Sequence, residues 1–271
     1  MTKTIFITGA STGVGKATAK LFAEKGWNVI ATMRKPENET ELHSIPNITL
    51  LTLDVTNKEQ ISEVTQKAIA LNDIDVVFNN AGYGLIGPLE AYSDEQIQQQ
   101  LNTNLLGVIR VTQSFIPYFR QKKNGLFITT SSLGGLVTYP FCSIYHASKW
   151  AIEGWSESMA FELNQFDIGI KTVSPGSIKT DFLGRSMELV SMPAYETLVN
   201  KLVGGFMTNP ERAKGFSEPL EIAEVVYEAA TDGSDKLRYT AGAAAKAAYA
   251  RRLEVGDEAF RKGVEKTWLD S

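Results

Sequence analysis

The stretch from Lys3 to Arg34, KTIFITGASTGVGKATAKLFAEKGWNVIATMR, decides how the rest of the chain is read. It opens with a short apolar run, KTIFITGA, that stops at a glycine, as a buried parallel strand does. GVGKATAKLFAEKG then has helical spacing: Val14, Ala17, Leu21 and Phe22 fall on one side, and Gly26 stands where a helix commonly ends. WNVIATMR is a second strand. Between the first strand and its helix lies TGASTGVG, with Gly9, Gly13 and Gly15. Glycines there let the backbone turn tightly and let a pyrophosphate approach the free N–H groups of the helix N-terminus. The spacing, Gly-x-x-x-Gly-x-Gly, differs from the usual Gly-x-Gly-x-x-Gly dinucleotide pattern, so a turn built only for close helix-to-strand packing stands beside the phosphate-binding reading.

The same alternation continues outward through ITLLTLDV, DIDVVFNNAG, GLFITTSS, IGIKTVSPG and LRYTAG, with helical stretches between most of them. Strands separated by helices mean crossovers, so the expected fold class is α/β: a doubly wound parallel sheet of about seven strands in a single domain spanning 1–271. Two helices, from about Asp94 to Arg120 and from Tyr145 to Asn164, are longer and more apolar than a one-sided surface helix needs, and a subunit interface, in a homodimer or homotetramer, is expected there. The span 182–216 breaks the rhythm with methionines and aromatics among glycines and reads as an apolar cover over a substrate; residues 242–271 read as a C-terminal helical tail.

Composition narrows the function classes. The 271 residues are 43% apolar and 21% charged, enough for one sizeable core, and a formal charge of -4 argues against a nucleic-acid partner. One cysteine, Cys142, forms no internal disulfide, and two histidines, His43 and His146, are too few soft ligands for a metal site. No apolar run has membrane-spanning length and the N-terminus does not read as a secretory signal, so a cytoplasmic protein without a membrane partner is expected.

SIYHASKWAIEG, Ser143 to Gly154, sets a phenol and an ammonium four residues apart on one helical face. A phenol titrates near ~10 in water and is a poor base at neutral pH. A cation about 4 Å away at an effective dielectric near 20 is worth roughly 4 kcal/mol, or about three pKa units before desolvation opposes it. Lys149 is therefore expected to bring Tyr145 towards working pH. A buried tyrosine beside a snorkelling lysine is the structural alternative.

Taken together, TGASTGVG, LDV (Leu53 to Val55), NNAG (Asn79 to Gly82), NTNLLG, SSLGG, YHASK and SPGSIKT occur in the order and spacing of the classical short-chain dehydrogenases/reductases, and the chain resembles that family from about Lys3 to Thr180. SSLGGLVTYPFCSIYHASK is most similar to the hydroxysteroid and retinol dehydrogenase branch. The resemblance implies a Rossmann fold and hydride transfer between a nicotinamide and a carbonyl or secondary alcohol, with Tyr145 as proton donor in reduction and base in oxidation. It implies that Lys149 assists the tyrosine and hydrogen-bonds the nicotinamide ribose, and that Ser132 holds the substrate oxygen, with Ser131 as the other candidate. Asn104 resembles the asparagine that holds a proton-relay water, or is simply a helix-kinking polar residue. The cofactor-binding residues implied are Gly9, Ser11, Thr12, Gly13, Val14, Gly15, Arg34, Asp54, Val55, Asn80, Ala81, Gly82, Tyr145, Lys149, Pro175, Gly176, Ile178 and Thr180. Asp54 resembles the carboxylate that meets the adenine amino group, although an aspartate ending a strand also serves as a cap. Asn79 reads as a brace of the sheet, His146 as packing or surface, and Cys142 as a possible pocket wall. A nucleotide-binding sensor or scaffold of the same fold is the alternative function.

The second strand ends in VIATMRKPE, where an NAD-binding protein normally places a carboxylate for the ribose 2′-hydroxyl. Met33 stands there instead. Arg34 presents a planar charged fork to a 2′-phosphate, with Lys35 beside it, which favours NADP(H) over NAD(H). Thr12 departs from the basic residue that many NADP-using relatives carry in the glycine loop. The cover segment favours an apolar ketone, aldehyde or alcohol as substrate.

Overall fold

The structure is a computed structural model that describes residues 2–179, 187–207 and 215–269. In chain order the elements are β1 (Thr4–Thr8), α1 (Gly13–Glu24), β2 (Asn28–Met33), β3 (Ile48–Thr52), α2 (Lys58–Leu71), β4 (Val76–Asn79), β5 (Gly84–Ile86), α3 (Asp94–Leu101), α4 (Gly107–Lys122), β6 (Gly125–Thr130) and α5 (Ser143–Leu163). They continue with β7 (Ile168–Pro175), β8 (Met187–Leu189), α6 (Glu196–Met207), α7 (Pro219–Thr231), β9 (Arg238–Ala241), α8 (Ala243–Val255) and α9 (Asp257–Trp268).

Seven strands form one parallel sheet in the order β3-β2-β1-β4-β6-β7-β9. The chain runs outward from β1 to β3, then crosses back to lay β4 on the other side of β1. The carboxyl ends of β1 and β4 therefore flank the crevice in which doubly wound sheets hold ligands. The seven sequence-predicted strands and the single-domain α/β architecture are present.

Both faces of the sheet are covered, and β1 shows how. Ile5 and Ile7 belong to a layer with Phe22, Trp27, Ile222 and Val226 from α1, its following turn and α7. Phe6, pointing the opposite way, packs in a layer with Val111, Phe115 and Phe119 of α4 and Phe127 of β6. Phe6 and Phe115 meet at 5.0 Å between ring centroids. Each such ring, taken out of water, contributes about 1.5–3 kcal/mol, which holds both helical layers on the sheet. Asn79 is the brace expected: its amide donates to Thr112 Oγ1 of α4 at 3.0 Å, fully buried.

Two local features depart from the sequence reading. The helix expected from Asp94 to Arg120 is interrupted by a π-turn, Asn102–Leu106, between α3 and α4. A second, two-stranded parallel sheet pairs β5 with β8, Gly84 against Met187 and Leu85 against Glu188. Three-residue strands are too short for a period to show, so this clip was invisible in sequence. It ties the described part of the expected cover, β8 and α6, to the loop that leaves β4. The rest of that cover, 182–186 and 208–214, lies outside the described residues. The C-terminal tail is helical, as α8 and α9. Among the described residues no helix is long and apolar enough to cross a membrane.

Candidate active site

The carboxyl edge of the sheet opens into a cleft of about 1160 Å³. At one end lies the turn after β1. Gly9 has φ of +68°, and a Cβ on it would meet the Ala81 Cα at 2.8 Å; a Cβ on Gly15 would meet the Gly9 carbonyl oxygen at 2.3 Å. These two glycines thus serve close packing of the turn on the NNAG loop, and Gly15 lies outside the cleft lining. Asn80 fastens the same junction: its amide donates to the carbonyls of Thr8 (3.2 Å) and Gly9 (3.1 Å) and accepts from Thr130 Oγ1 at 3.1 Å. Ser11, Thr12, Gly13 and Val14 face the cleft. Thr12 caps α1 without a side-chain hydrogen bond, and the first turn carries no carboxylate. The first N–H groups of α1 consequently point at the cleft with no negative side chain to occupy them, a donor set that fits a pyrophosphate.

Along the wall from this turn, Met33 and Arg34 end β2, Leu53 to Thr56 follow β3, and Asn80 to Tyr83 follow β4. Arg34 is exposed on the rim. The nearby carboxylates do not neutralise it: Glu39 and Glu41 pair with Lys16, and Glu41 also with Lys20, across to α1. Asp54 combines both of its sequence-level readings. It lines the cleft, and its Oδ1 accepts from the Thr56 N–H at 2.9 Å and hydroxyl at 2.7 Å as a turn cap does.

At the other end of the cleft are Ser132, Tyr145 and Lys149. Ser132 follows β6, its Oγ accepts from the Gly134 N–H at 2.9 Å, and it lines the cleft beside Tyr145. Ser131, the other serine weighed, is buried, with a hydroxyl that finds no partner. Lys149, one turn after Tyr145 on α5, donates to the Thr130 carbonyl at 2.8 Å and sits 6.0 Å from the centre of the Tyr145 ring. Pro175, Gly176 and Ile178 line the cleft on the opposite side, after β7. Thr180 falls outside the described residues.

The expected acidification of the phenol is not what these residues produce. Burial pushes Tyr145 up to about 12, offset in part by the nearby Ser132 hydroxyl. Burial likewise drives Lys149 down to about 8, against the opposing pull of the Glu153 carboxylate. The reason is desolvation: taking the phenolate and the ammonium out of water costs each more than the pair returns. Tyr145 is therefore held protonated at neutral pH.

Asn104 is also placed differently from a cleft-facing ligand. It is 1% exposed, and its amide is spent on the backbone of Tyr83, accepting from the N–H at 3.0 Å and donating to the carbonyl at 2.8 Å. His146 is a buried pin. Nδ1 lies 2.7 Å from the Gly134 carbonyl and so carries the proton, while Nε2 accepts from the Tyr139 N–H at 3.0 Å. Burial pushes it below the usual imidazole range. Cys142 does line the cleft, with its thiol pushed up to about 12 by burial, which rules it out as a thiolate nucleophile at neutral pH.

Several cleft residues escaped the sequence reading: Tyr83 and Ile86, then Glu188 of β8, Leu202 of α6, Phe216, and Trp268 at the end of α9. Trp268 stands edge-on to Tyr139, 5.8 Å between centroids, so the tail helix closes part of the wall. Only the apolar character of the 182–216 span hinted at any of them.

Comparison with known proteins agrees with this arrangement. The sequence model for the family described as short chain dehydrogenase matches residues 3–189. An uncharacterised oxidoreductase of Schizosaccharomyces pombe is 37% identical over 229 residues, covering 84% of this chain and 96% of its own. The crystal structure of a short-chain dehydrogenase from Streptomyces avermitilis superposes with a TM-score of 0.84 at 26% identity, over 100% of this chain and 97% of that one. ElxO with NADP bound superposes with a TM-score of 0.74 at 26% identity, over 89% of this chain and 98% of its own. With the family match covering well over half its length, its strands in doubly wound order and its serine, tyrosine and lysine gathered at one end of a dinucleotide-sized cleft, the chain belongs to the short-chain dehydrogenase family of oxidoreductases.

Proposed function

We propose that this protein is an NADP(H)-dependent oxidoreductase that interconverts a carbonyl and an alcohol on a largely apolar substrate. The observation that carries the reading is the gathering of Ser132, Tyr145 and Lys149, the last tethered to the Thr130 carbonyl, in the same cleft as the uncapped N-terminus of α1. The dinucleotide, when bound, supplies or accepts the hydride. All else falls to the protein. The turn from Ser11 to Val14 holds the pyrophosphate, Arg34 takes a 2′-phosphate, and Lys149 reaches the nicotinamide ribose.

In reduction, Ser132 positions the substrate oxygen and Tyr145 donates its proton to that oxygen as negative charge builds there. A phenol held well above its ordinary pKa suits this direction, because it begins protonated. In oxidation Tyr145 must first lose its proton, which the positive charge of Lys149 assists and burial resists. A relay to solvent through Asn104 would run from its backbone carbonyl in the π-turn, since its side chain is committed to Tyr83.

Met187, Ile86, Leu202, Phe216, Cys142 and Trp268 supply the apolar wall on which the substrate class rests. The test is the purified protein with NADPH or NADH and a panel of ketones, aldehydes and steroids, followed by loss of the reduced nicotinamide absorbance. Turnover of apolar carbonyls with NADPH is the expected result. Dinucleotide binding without turnover of any carbonyl or alcohol would instead favour a sensor of the same fold.

A further inference from the structure

The substrate end of the cleft contains two polar groups that the reaction above does not use. Tyr83 lines the cleft, yet its hydroxyl, shut off from solvent, has no hydrogen-bond partner among the described residues. A buried hydroxyl left unpaired costs about 1–3 kcal/mol, so its persistence in an otherwise well-bonded loop needs a reason. The loop is well bonded: the Tyr83 N–H and carbonyl are held by Asn104, and Gln100 donates a further bond to the carbonyl at 3.0 Å. The backbone that carries the ring is therefore held in place.

Glu188 is the second group. It sits on β8 directly opposite Leu85 of β5. Paired residues in a sheet present their side chains to the same face, so Leu85 and Glu188 share one side of this small sheet, and Tyr83 immediately precedes β5. The proximity also shows in the charge of Glu188, which adds to burial in pushing the Tyr83 phenol up to about 12. One carboxylate oxygen accepts from Gln96 Nε2 at 2.5 Å, and the other end of that amide is fixed by the Ser93 N–H at 2.9 Å. The carboxylate is thus positioned by a neutral donor and pairs with no described lysine or arginine. Among the described cleft residues the cations are Arg34, at the nucleotide end, and Lys149, tethered to Thr130. Glu95, on α3 beside Gln96, adds a second negative charge to the lining.

We propose that Glu188 and the Tyr83 hydroxyl form a subsite for a protonated amine, so that the favoured substrate is an apolar carbonyl compound bearing an ammonium group. This rests on the carbonyl–alcohol reading of the same cleft. The ammonium brings three donors to an unpaired carboxylate oxygen and a phenol oxygen, while the apolar remainder lies on Leu202 and Phe216. A carboxylate or phosphate at the same point would face Glu188 and Glu95 with no opposing cation among the described residues.

Two measurements test this. Calorimetric titration of the protein with hexylammonium and with hexanoate asks about the subsite without requiring turnover. Hexylammonium should bind at least about tenfold more tightly than hexanoate, the least expected of one charge-assisted hydrogen bond. Glu188→Gln should bring the two affinities together, and Tyr83→Phe should lose part of the difference. The second measurement is the ratio of kcat/KM for an amino ketone to that for the uncharged ketone of equal length. It should exceed about ten in the wild type and fall towards one in Glu188→Gln. Equal binding of the two probes, or a ratio that survives Glu188→Gln, overturns the subsite. Failure to reduce any ketone while the binding preference holds would count against the carbonyl–alcohol reading and leave the subsite standing.

Discussion

Lys149 aims its ammonium at the Thr130 carbonyl oxygen, 2.8 Å away, and meets Tyr145 only at 6.0 Å from the centre of its ring. The end of β6, not the phenol, sets where the charge sits. Lys149→Ala removes that tether, the charge and the proposed ribose contact together. Turnover should fall by about a hundredfold or more, and the dinucleotide dissociation constant should rise as well. Steady-state kinetics and a fluorescence titration of NADPH measure the two effects. An unchanged NADPH affinity would remove the ribose contact from the reading.

Tyr145→Phe deletes the proton and keeps the ring. Turnover should drop about a hundred- to ten-thousand-fold while NADPH affinity stays close to that of the wild type. A variant that keeps most of its turnover would exclude Tyr145 as the acid.

The pH dependence follows from two shifts of opposite sign. Tyr145 is raised to about 12, so it remains a proton donor throughout the neutral range; Lys149 is lowered to about 8, so its charge is present below that pH and lost above it. Reduction, as kcat/KM, is expected to be level from neutrality to about 8 and to decline above it. Oxidation needs the phenolate and should rise with pH up to the same point. A reductive profile that climbs above the lysine pKa would contradict the assignment of Lys149.

Among the described residues no carboxylate pairs with Arg34; Glu39 and Glu41 are engaged by Lys16 and Lys20. Arg34→Ala should weaken NADPH about ten- to a hundredfold, the scale of charge-assisted hydrogen bonds, and NADH far less. Equal losses for both dinucleotides, or a wild-type preference for NADH, would place the 2′-phosphate elsewhere.

Glu153, one turn beyond Lys149, is a buried hub joining α5 to β7 and β9. It accepts from Thr172 Oγ1 (3.1 Å), Ser174 Oγ (2.9 Å) and Arg238 Nε (2.9 Å). Glu153→Ala leaves the Ser174 hydroxyl and part of a guanidinium without a partner and Thr172 with only the Leu237 carbonyl at 3.5 Å, and should cost on the order of 3 kcal/mol in chemical denaturation, with Glu153→Gln recovering part of it. A loss below the error of the measurement would show that these groups find other partners.

What could be read from sequence follows a physical divide. β1 announced itself because a fully buried parallel strand must be continuously apolar, and Gly9 because the backbone beside Ala81 has no room for a Cβ. Tyr145 and Lys149 drew attention through their spacing on one face of a helix, and Ser132 through the family resemblance. The sign of the Tyr145 shift was not legible, because it depends on how far two groups are desolvated, a property of the packed site. Glu188 and Trp268 were hidden for another reason: they reach the cleft from segments distant in sequence, through a three-residue strand and a terminal helix that carry no periodic signal.

The π-turn at Asn102–Leu106 bears on how this protein tolerates change in length. A π-turn holds one residue more than the α-helical turn it replaces. Asn104 reaches the Tyr83 backbone from within it, while Val111, Phe115 and Phe119 further along α4 face the sheet at intervals of four. Removing one residue from the turn would restore a regular helix and rotate one half against the other by about 100°. Either Asn104 would leave Tyr83, or the aromatic stripe would leave the core. Residue count in this turn is therefore constrained independently of residue identity, and a one-residue deletion there does damage that no single substitution at the same positions reproduces.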